Sequence, residues 1–439
     1  GDAITDNTGA RWRFDAAGRL VETGNGPGTR VSMHWDGTRL LGLVHERGRS
    51  VTLDWADDRV RAAVASDGRR VDYAYDEAGR LVAATSHRGT RRYAWNEAGL
   101  IQEVTDGDGV RELANTYDGL GRVVEQVSPH GRLTRFSYLP GNITMVADPD
   151  GTRSNTWIHD TRARLVGIVD ADDQRVSLAR DAYGNIVMAT ERDGSVTVSE
   201  YDERSRLTAR VTPAGARIET VWDHEDRIAS VTVDADGRPA TTSFHYRDGE
   251  RNPHTITDAE GGATTFEWSQ GLLTATTDPM GVRFTLRHDE HGDIVAFADG
   301  DGNEATLERD EAGRIVASTT PLGHRSTFSW TGELLTSRTD PDGSTWRFEH
   351  TPAARIAAIT NPLGARTAYE HGDAGDTTRV TDPVGRTTHR VFDVLGNLAG
   401  IELPDGSRWE FTHDNLSRLV ATLDPEGGEW RAEYDVNGR

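Results

Sequence analysis

The sequence predicts an all-β protein made of tandem antiparallel hairpins, and three observations carry that prediction. A short motif, Tyr75-Asp-Glu-Ala-Gly-Arg-Leu81, recurs along the whole chain at steps of about 21 residues. A second turn signal, Asp340-Pro-Asp-Gly343 and its variants, falls midway between the copies. Between the two signals lie segments of about six or seven residues in which β-branched and aromatic residues alternate with polar ones, the period of a strand.

The motif copies include Phe14-Asp-Ala-Ala-Gly-Arg-Leu20, Tyr117-Asp-Gly-Leu-Gly-Arg-Val123, Tyr201-Asp-Glu-Arg-Ser-Arg-Leu207, Phe392-Asp-Val-Leu-Gly-Asn-Leu398 and the terminal Tyr434-Asp-Val-Asn-Gly-Arg439. The second position falls on an acidic or amide residue at Asp36, Asn96, Asp160, Asp181, Asp223, Asp289, Asp310 and Asp414 as well. Weaker copies lie near Ala56, Leu139, Arg247, Ser269, Thr331, Thr351 and His371. The total is roughly 21 units. The midway signal reads Asp148-Pro-Asp-Gly151, Asp278-Pro-Met-Gly281, Asp382-Pro-Val-Gly385 and Asp424-Pro-Glu-Gly427, with looser forms such as Thr320-Pro-Leu-Gly323 and Asn361-Pro-Leu-Gly364. Both signals share Asp-x-x-Gly, which is type I turn chemistry: Asp accepts a backbone bond, Pro pre-sets the next φ and Gly closes the turn. Each unit therefore reads strand, turn, strand, turn.

Aromatic residues recur two apart, as at Tyr73/Tyr75, Tyr93/Trp95, Phe328/Trp330 and Trp409/Phe411. Trp35, Trp55, Tyr75, Trp95 and Tyr117 hold equivalent places and are expected to stack as a cross-strand aromatic ladder. The unit near 234–256 is longer, at about 24 residues, and contains Arg251-Asn-Pro-His254; its loop is where the chain is expected to leave the ladder. Gly24-Asn-Gly-Pro-Gly28 reads as a loosened turn, since no helix follows to make it a phosphate loop.

The unbroken period makes residues 1–439 one repeat array and overrides the two or three domains that length alone suggests. Hydrophobic residues make up 35%, and mean hydropathy is −0.61, too polar for a thick central core. That balance suits a one-layer sheet with much of both faces against solvent. A net charge of −22 argues against a nucleic-acid partner, which needs positive charge to displace counterions. The chain has no lysine, so all its basic residues are arginine, and it has no cysteine, which removes disulfides and thiolate metal sites. No apolar run is long enough to span a membrane as a helix. The chain starts and stops inside the repeat pattern, without capping units, so flanking repeats or domains are expected beyond both ends.

The motif copies with alternating Asp-Pro-x-Gly turns resemble the YD-repeat, or Rhs-repeat, family, which includes bacterial Rhs polymorphic toxins, the C component of Tc toxins, wall-associated repeat proteins and the teneurin shell. The resemblance covers nearly the whole chain. It implies a spiralling, hollow β-sheet shell which, in the toxins, encloses a C-terminal effector. It also implies a structural turn role for Phe14, Asp15, Gly18 and Arg19; for Tyr75, Asp76, Gly79 and Arg80; for Tyr117, Asp118, Gly121 and Arg122; for Tyr201 and Asp202; and for Tyr434, Asp435, Gly438 and Arg439. Ser205 replaces the turn glycine of this pattern and Asn397 its arginine. The signature, self-cleavage site and variable toxin that close the repeats of Rhs toxins do not occur before Arg439, so no toxic or proteolytic activity is expected of this stretch. A geometric check points the same way. About 42 strands at roughly 4.8 Å give a strip about 200 Å long, about 60–65 Å across if closed once, wider than side chains can fill.

No catalytic, cofactor or metal residues are assigned. The histidines at motif positions, His159, His288, His350 and His413, lie several units apart, and His288/His291 is a weak pair. Asp299-Gly-Asp-Gly-Asn-Glu304 alternates oxygen donors but has Glu304 where a calcium loop needs glycine. No nucleophile elbow occurs. The expected function is a segment of an encapsulating wall, exported by a bacterium, with flanking shell or plug domains and an enclosed toxin or effector as partners. The alternative is a cell-surface or secreted carbohydrate-binding, adhesive array that takes glycans on its aromatic rows. An enzyme is the third and weakest reading.

Overall fold

A computed structural model describes residues 2–6 and 8–438 of the chain. Among these residues there are 42 β-strands and no helix, and the strands belong to one sheet. Pairing is antiparallel and joins strands consecutive in the chain, from Ala3–Thr5 with Arg11–Phe14 at one end to Leu419–Leu423 with Glu429–Arg431 at the other. The expected all-β hairpin array is what the chain forms. By contacts it divides into two compact units, one of residues 1–73 with 200–345, the other of residues 74–199 with 346–439.

The Asp-x-x-Gly turns close as the sequence predicts. At Asp76 the Gly79 amide donates to the Asp76 carbonyl at 2.9 Å, and the Asp76 amide donates to the Arg80 carbonyl at 3.0 Å. Gly79 sits at φ 80°, the left-handed region that follows a type I turn in a three-residue hairpin loop. The midway turns do the same: the Gly343 amide donates to the Asp340 carbonyl at 2.9 Å.

Not every copy is such a turn. Asp36, read as a second-position residue, pairs with Arg39 across a two-residue loop, Gly37-Thr38. Ala56 pairs with Arg59 across Asp57-Asp58, and Ser269 with Leu272 across Gln270-Gly271. The first loop residue has φ between 50° and 55° in all three. These are the tighter hairpins whose twist matches the flanking strands, and the missing Asp-x-x-Gly-Arg spacing is why.

Most motif copies also set a β-bulge, although Tyr138 pairs in straight register with Thr144. Arg13 faces Glu22 while Phe14 faces Leu20, so Val21 is the extra residue. The same shift occurs beside Trp35, Trp55, Trp95, Tyr117, Trp222, Trp268 and Trp330. At these copies the aromatic position marks the register, and the bulge adds local twist to the strip.

Two residues beyond the motif Leu stands a small residue that the sequence reading passed over. Ala62, Ala209, Ala296, Ala317 and Ala358 are 0–3% exposed, and Gly42 and Gly400 hold the same place. The register explains it. Ala317 faces Glu308 on one neighbouring strand and Thr327 on the other, and Arg325 of that second strand reaches Glu308 at 2.8 Å. The ion pair bridges the intervening strand over its alanine. Arg366–Glu349 does the same over Ala358, and Arg217–Glu200 crosses at Ala209. Exposed pairs of this kind add little stability individually. Their stems cover the small residue, which leaves no room for a larger one.

Replacing Ala317 by Leu should therefore destabilise the chain by about 1–3 kcal/mol, the usual cost of overpacking. Thermal unfolding followed by circular dichroism checks it, and an unchanged midpoint would mean that the row has no packing role.

Candidate functional site

The repeated motif is the candidate site, and its chemistry starts at the aspartate. Asp15 Oδ1 accepts from the amides of Ala17 and Arg19 at 2.9 and 3.0 Å, and its Oδ2 accepts from Arg19 Nε at 2.7 Å. Asp76 and Arg80 repeat the clamp at 2.8 Å for both Arg80 contacts, and Asp118 and Arg122 at 3.0 and 2.8 Å. Asp202 holds Arg206 in the same way although Ser205 replaces the glycine; Ser205 takes φ 59° and its amide still donates to the Asp202 carbonyl at 3.0 Å. Asp435 accepts from the Asn437 amide at 2.9 Å, and Gly438 has φ 82°; Arg439 lies outside the described residues. At Asp393 the clamp is filled by Asn397, whose Nδ2 donates to Oδ2 at 3.0 Å.

The clamped arginine then turns its guanidinium to the aromatic residue of the next repeat. Arg19 lies 5.7 Å from the Trp35 ring centre, Arg80 6.0 Å from Trp95, Arg122 4.3 Å from Tyr138, Arg206 5.5 Å from Trp222 and Arg418 5.0 Å from Tyr434. The polar tip of that ring closes the circuit. Trp35 Nε1 donates to the Leu20 carbonyl at 2.9 Å, Trp95 to Leu81 at 2.7 Å, Tyr138 Oη to Val123 at 2.8 Å, and Tyr434 Oη to Leu419 at 2.8 Å. Tyr117 Oη donates likewise to the Ile101 carbonyl. Tyr75 and Tyr201 end their strands, Arg70–Tyr75 and Val196–Tyr201, at the equivalent place. Phe14 keeps the ring and the bulge but has no hydroxyl to donate.

This corrects the aromatic ladder. Trp35, Trp55 and Trp95 each face a guanidinium instead of one another. At these positions the arginine of the intervening turn lies against the ring; rings two strands apart do meet elsewhere, as Trp409 stacks on Trp430 with centres 6.1 Å apart. Cation–π contact and a backbone hydrogen bond together use both the face and the edge of the ring.

The aspartates carry an electrostatic signature. Asp15, Asp76 and Asp118 are all held below the ordinary carboxylate range, first by the amide of the clamped arginine. Asp160 is lowered to about 2, first by the Arg164 side chain and then by its amide. Asp299, considered above for calcium, spends its oxygens on its own turn, accepting from the Asp301 and Asn303 amides and from Asn303 Nδ2.

A second set of contacts joins turns far apart in sequence within each unit. In the first unit, Arg49 pairs with Asp293, Arg47 donates to the Gln270 carbonyl at 2.6 Å, and Arg69 meets Glu333 at 3.3 Å. In the second, Arg355 forks to Asp106 and Asp108 at 2.6 Å each, Asp108 also accepts from the Ala353 amide at 2.9 Å, His130 meets Asp376 at 2.7 Å, and Arg418 reaches Asp172 at 3.0 Å. Burial would raise the Asp108 carboxyl, but Thr351, the Ala353 amide and Arg355 together hold it low. The sequence separations in the second unit are 243–249 residues. The strip thus returns within each unit to lie edge to edge with itself. Nothing in the local sequence marks these partners, because each is an ordinary turn residue in its own repeat.

Comparison with known proteins places these features. The family model described as "Teneurin YD-shell" matches residues 5–199, and "RHS Repeat" matches residues 331–366 and 392–429. The chain is 26% identical over 246 residues to "Probable deoxyribonuclease RhsB" of Dickeya dadantii, covering 53% of this chain and 15% of that protein. It is 28% identical over 184 residues to "Toxin protein Tse5" of Pseudomonas aeruginosa, covering 37% of this chain and 14% of that protein. It therefore spans about a seventh of the length of these curated relatives. Among solved structures, a Tc holotoxin pore of Photorhabdus luminescens aligns over 97% of this chain and 32% of its own, with TM-score 0.55 and 13% identity. A crystal structure of TcdB2–TccC3 without its hypervariable C-terminal region aligns over 90% and 26%, with TM-score 0.52 and 13% identity.

Two outcomes follow from the clamp. Asp160 ionises at a lower pH folded than unfolded, where it titrates near 3.9, so its contribution is full above about pH 4 and is lost as pH falls toward 2. Asp160→Asn should lower the melting temperature at pH 6, and the gap from the parent should close by about pH 2; a gap that ignores pH would count against the clamp. Ser205→Gly should raise stability by about 1 kcal/mol, because only glycine takes the left-handed turn without a Cβ penalty; a lowered melting temperature would contradict this.

Proposed function

Because the chain belongs to the YD-repeat, or Rhs-repeat, family, we propose that it is wall material: a segment of an encapsulating shell that encloses and shields a polypeptide effector, with no catalysis of its own. One observation carries the reading most directly. The fully buried positions are filled by alanines such as Ala62, Ala275, Ala296, Ala317 and Ala358, and no large side chain among the described residues is fully buried. A strip held by turn clamps and edge contacts needs no solid core, and a protein of 439 residues ordinarily builds one.

The proposed partners are further shell or plug segments of the same polypeptide and an effector from the same or another chain, and the proposed destination is outside the producing cell. No helix among the described residues is long and apolar enough to cross a membrane. Trp35 and Trp222 are engaged by a guanidinium group on one face and a carbonyl at the indole edge.

The contacts at Arg355 give the test. In the full polypeptide that carries this segment, the effector should resist trypsin at protease levels that digest the isolated effector. Arg355→Glu sets a third carboxylate against Asp106 and Asp108 and should make the effector cleavable at least tenfold faster. Equal digestion of the enclosed and isolated effector would overturn the proposal.

A further inference from the structure

Within the second unit the strip has two rims, one of midway turns and one of motif turns, and each is covered along one stretch and bare along another. Where the strip lies against itself, midway turns seat on motif turns in chain order: Asp108 on Arg355, Asp172 on Arg418 and Asp193 on Asn437. The residue that reaches across is the third of its midway turn, and in these turns it is polar, as it also is at His130, which meets Asp376.

Later midway turns of the same unit are bare. Leu363, third in Asn361-Pro-Leu-Gly364, is 93% exposed, and Val384, third in Asp382-Pro-Val-Gly385, is 76% exposed. The third residue of the next midway turn is the exposed Asp405. The motif rim shows the matching contrast. Leu395 and Leu416, third in motif turns on the covered stretch, are half-buried. Leu120 holds the same place in an earlier motif turn and is 78% exposed. In the next two motif turns Leu139 is 46% exposed, and Arg162 is exposed with its guanidinium donating to the Ala182 carbonyl at 3.1 Å. Single apolar tips are ordinary on a surface, but a series of them that continues an interface marks a contact surface.

The two bare stretches match in order. In chain direction the midway rim presents Leu363, Val384 and Asp405 on successive turns, and the motif rim presents Leu120, Leu139 and Arg162. Both rims repeat every two strands, about 10 Å. Laid together in the direction that the closed seam uses, apolar tips meet apolar tips and the acid meets the arginine. We propose that these rims dock on one another between copies of this chain, turns 361–406 of one copy on turns 118–163 of the next. A second copy fits because it supplies the complementary rim at the same spacing, and the seam within the unit already shows a midway rim seated on a motif rim. The contact joins unlike surfaces, so each copy keeps one rim free for a further copy and assembly continues in one direction.

Sedimentation velocity of the 439-residue chain tests the assignment. Raising the concentration from micromolar to submillimolar should produce a series of species that runs past the dimer. Leu363→Asp with Val384→Asp, and separately Leu120→Asp with Leu139→Asp, should each leave only monomer. Mixing these two double variants should give a one-to-one complex and nothing larger, because one intact rim of each kind remains. Asp405→Arg should weaken assembly at least tenfold, and adding Arg162→Asp to the same chain should restore it; circular dichroism verifies the fold of every variant. A parent chain that stays monomeric over the whole range, or whose assembly stops at a dimer, overturns the proposal even if every variant fails to fold. Assembly that survives in both folded double variants overturns it as well.

Discussion

The fold depends on one contact, the carboxylate of the turn aspartate closing on the amide and guanidinium of the arginine four residues later. That contact satisfies turn amides that have no strand partner, fixes the glycine in the left-handed region, and aims the guanidinium at the next repeat. Local and inter-repeat order thus come from the same side chain. It also gives the absence of lysine a physical use. A planar fork can give Nε to a carboxylate and still present its face to a ring, which an ammonium cannot do. Arg19, Arg80, Arg122, Arg206 and Arg418 do both.

The two faces of the strip solve different problems. On one, half-buried aromatic and branched residues meet across neighbouring strands, with Trp and Tyr tips tied to backbone carbonyls. On the other, arginine–glutamate pairs bridge over alanine. Stability is then close to a sum over repeats and their neighbours, and nearly all pairing is local, which favours rapid folding for a β protein. The exception is the set of edge contacts in each unit, such as Arg49 with Asp293 and Arg355 with Asp106. These alone close loops of more than 240 residues, and they form late if loop entropy sets the order.

Departures from the pattern are informative because the pattern is strong. Ser205 keeps the clamp while carrying a backbone penalty, whereas Asn397 keeps the carboxylate contact but cannot reach a ring. The loop at 247–253 runs longer than the others, and there the strip opens a cavity beside Trp268 that Arg251 and Asn252 help to line. The Gly-rich stretch around Gly26 and the long repeat were each visible as irregularities in sequence, but their meeting at one cavity was not.

The sequence by itself determined the strands, the turns and the period, because each is fixed by chemistry within a few residues: Asp, Gly and Pro at set offsets and side chains alternating at period two. It also determined that aspartate and arginine matter, though not what they hold. The small residue two beyond the motif Leu was legible in principle as a recurring Leu-x-Ala, but it gains meaning only when register sets an ion pair above it. Tertiary structure alone decided that rings such as Trp35, Trp55 and Trp95 face guanidinium groups, and that turns some 245 residues apart meet within each unit. Each of these depends on which edges and strands come side by side, and a distance of two strands or of hundreds of residues leaves no mark in a local window.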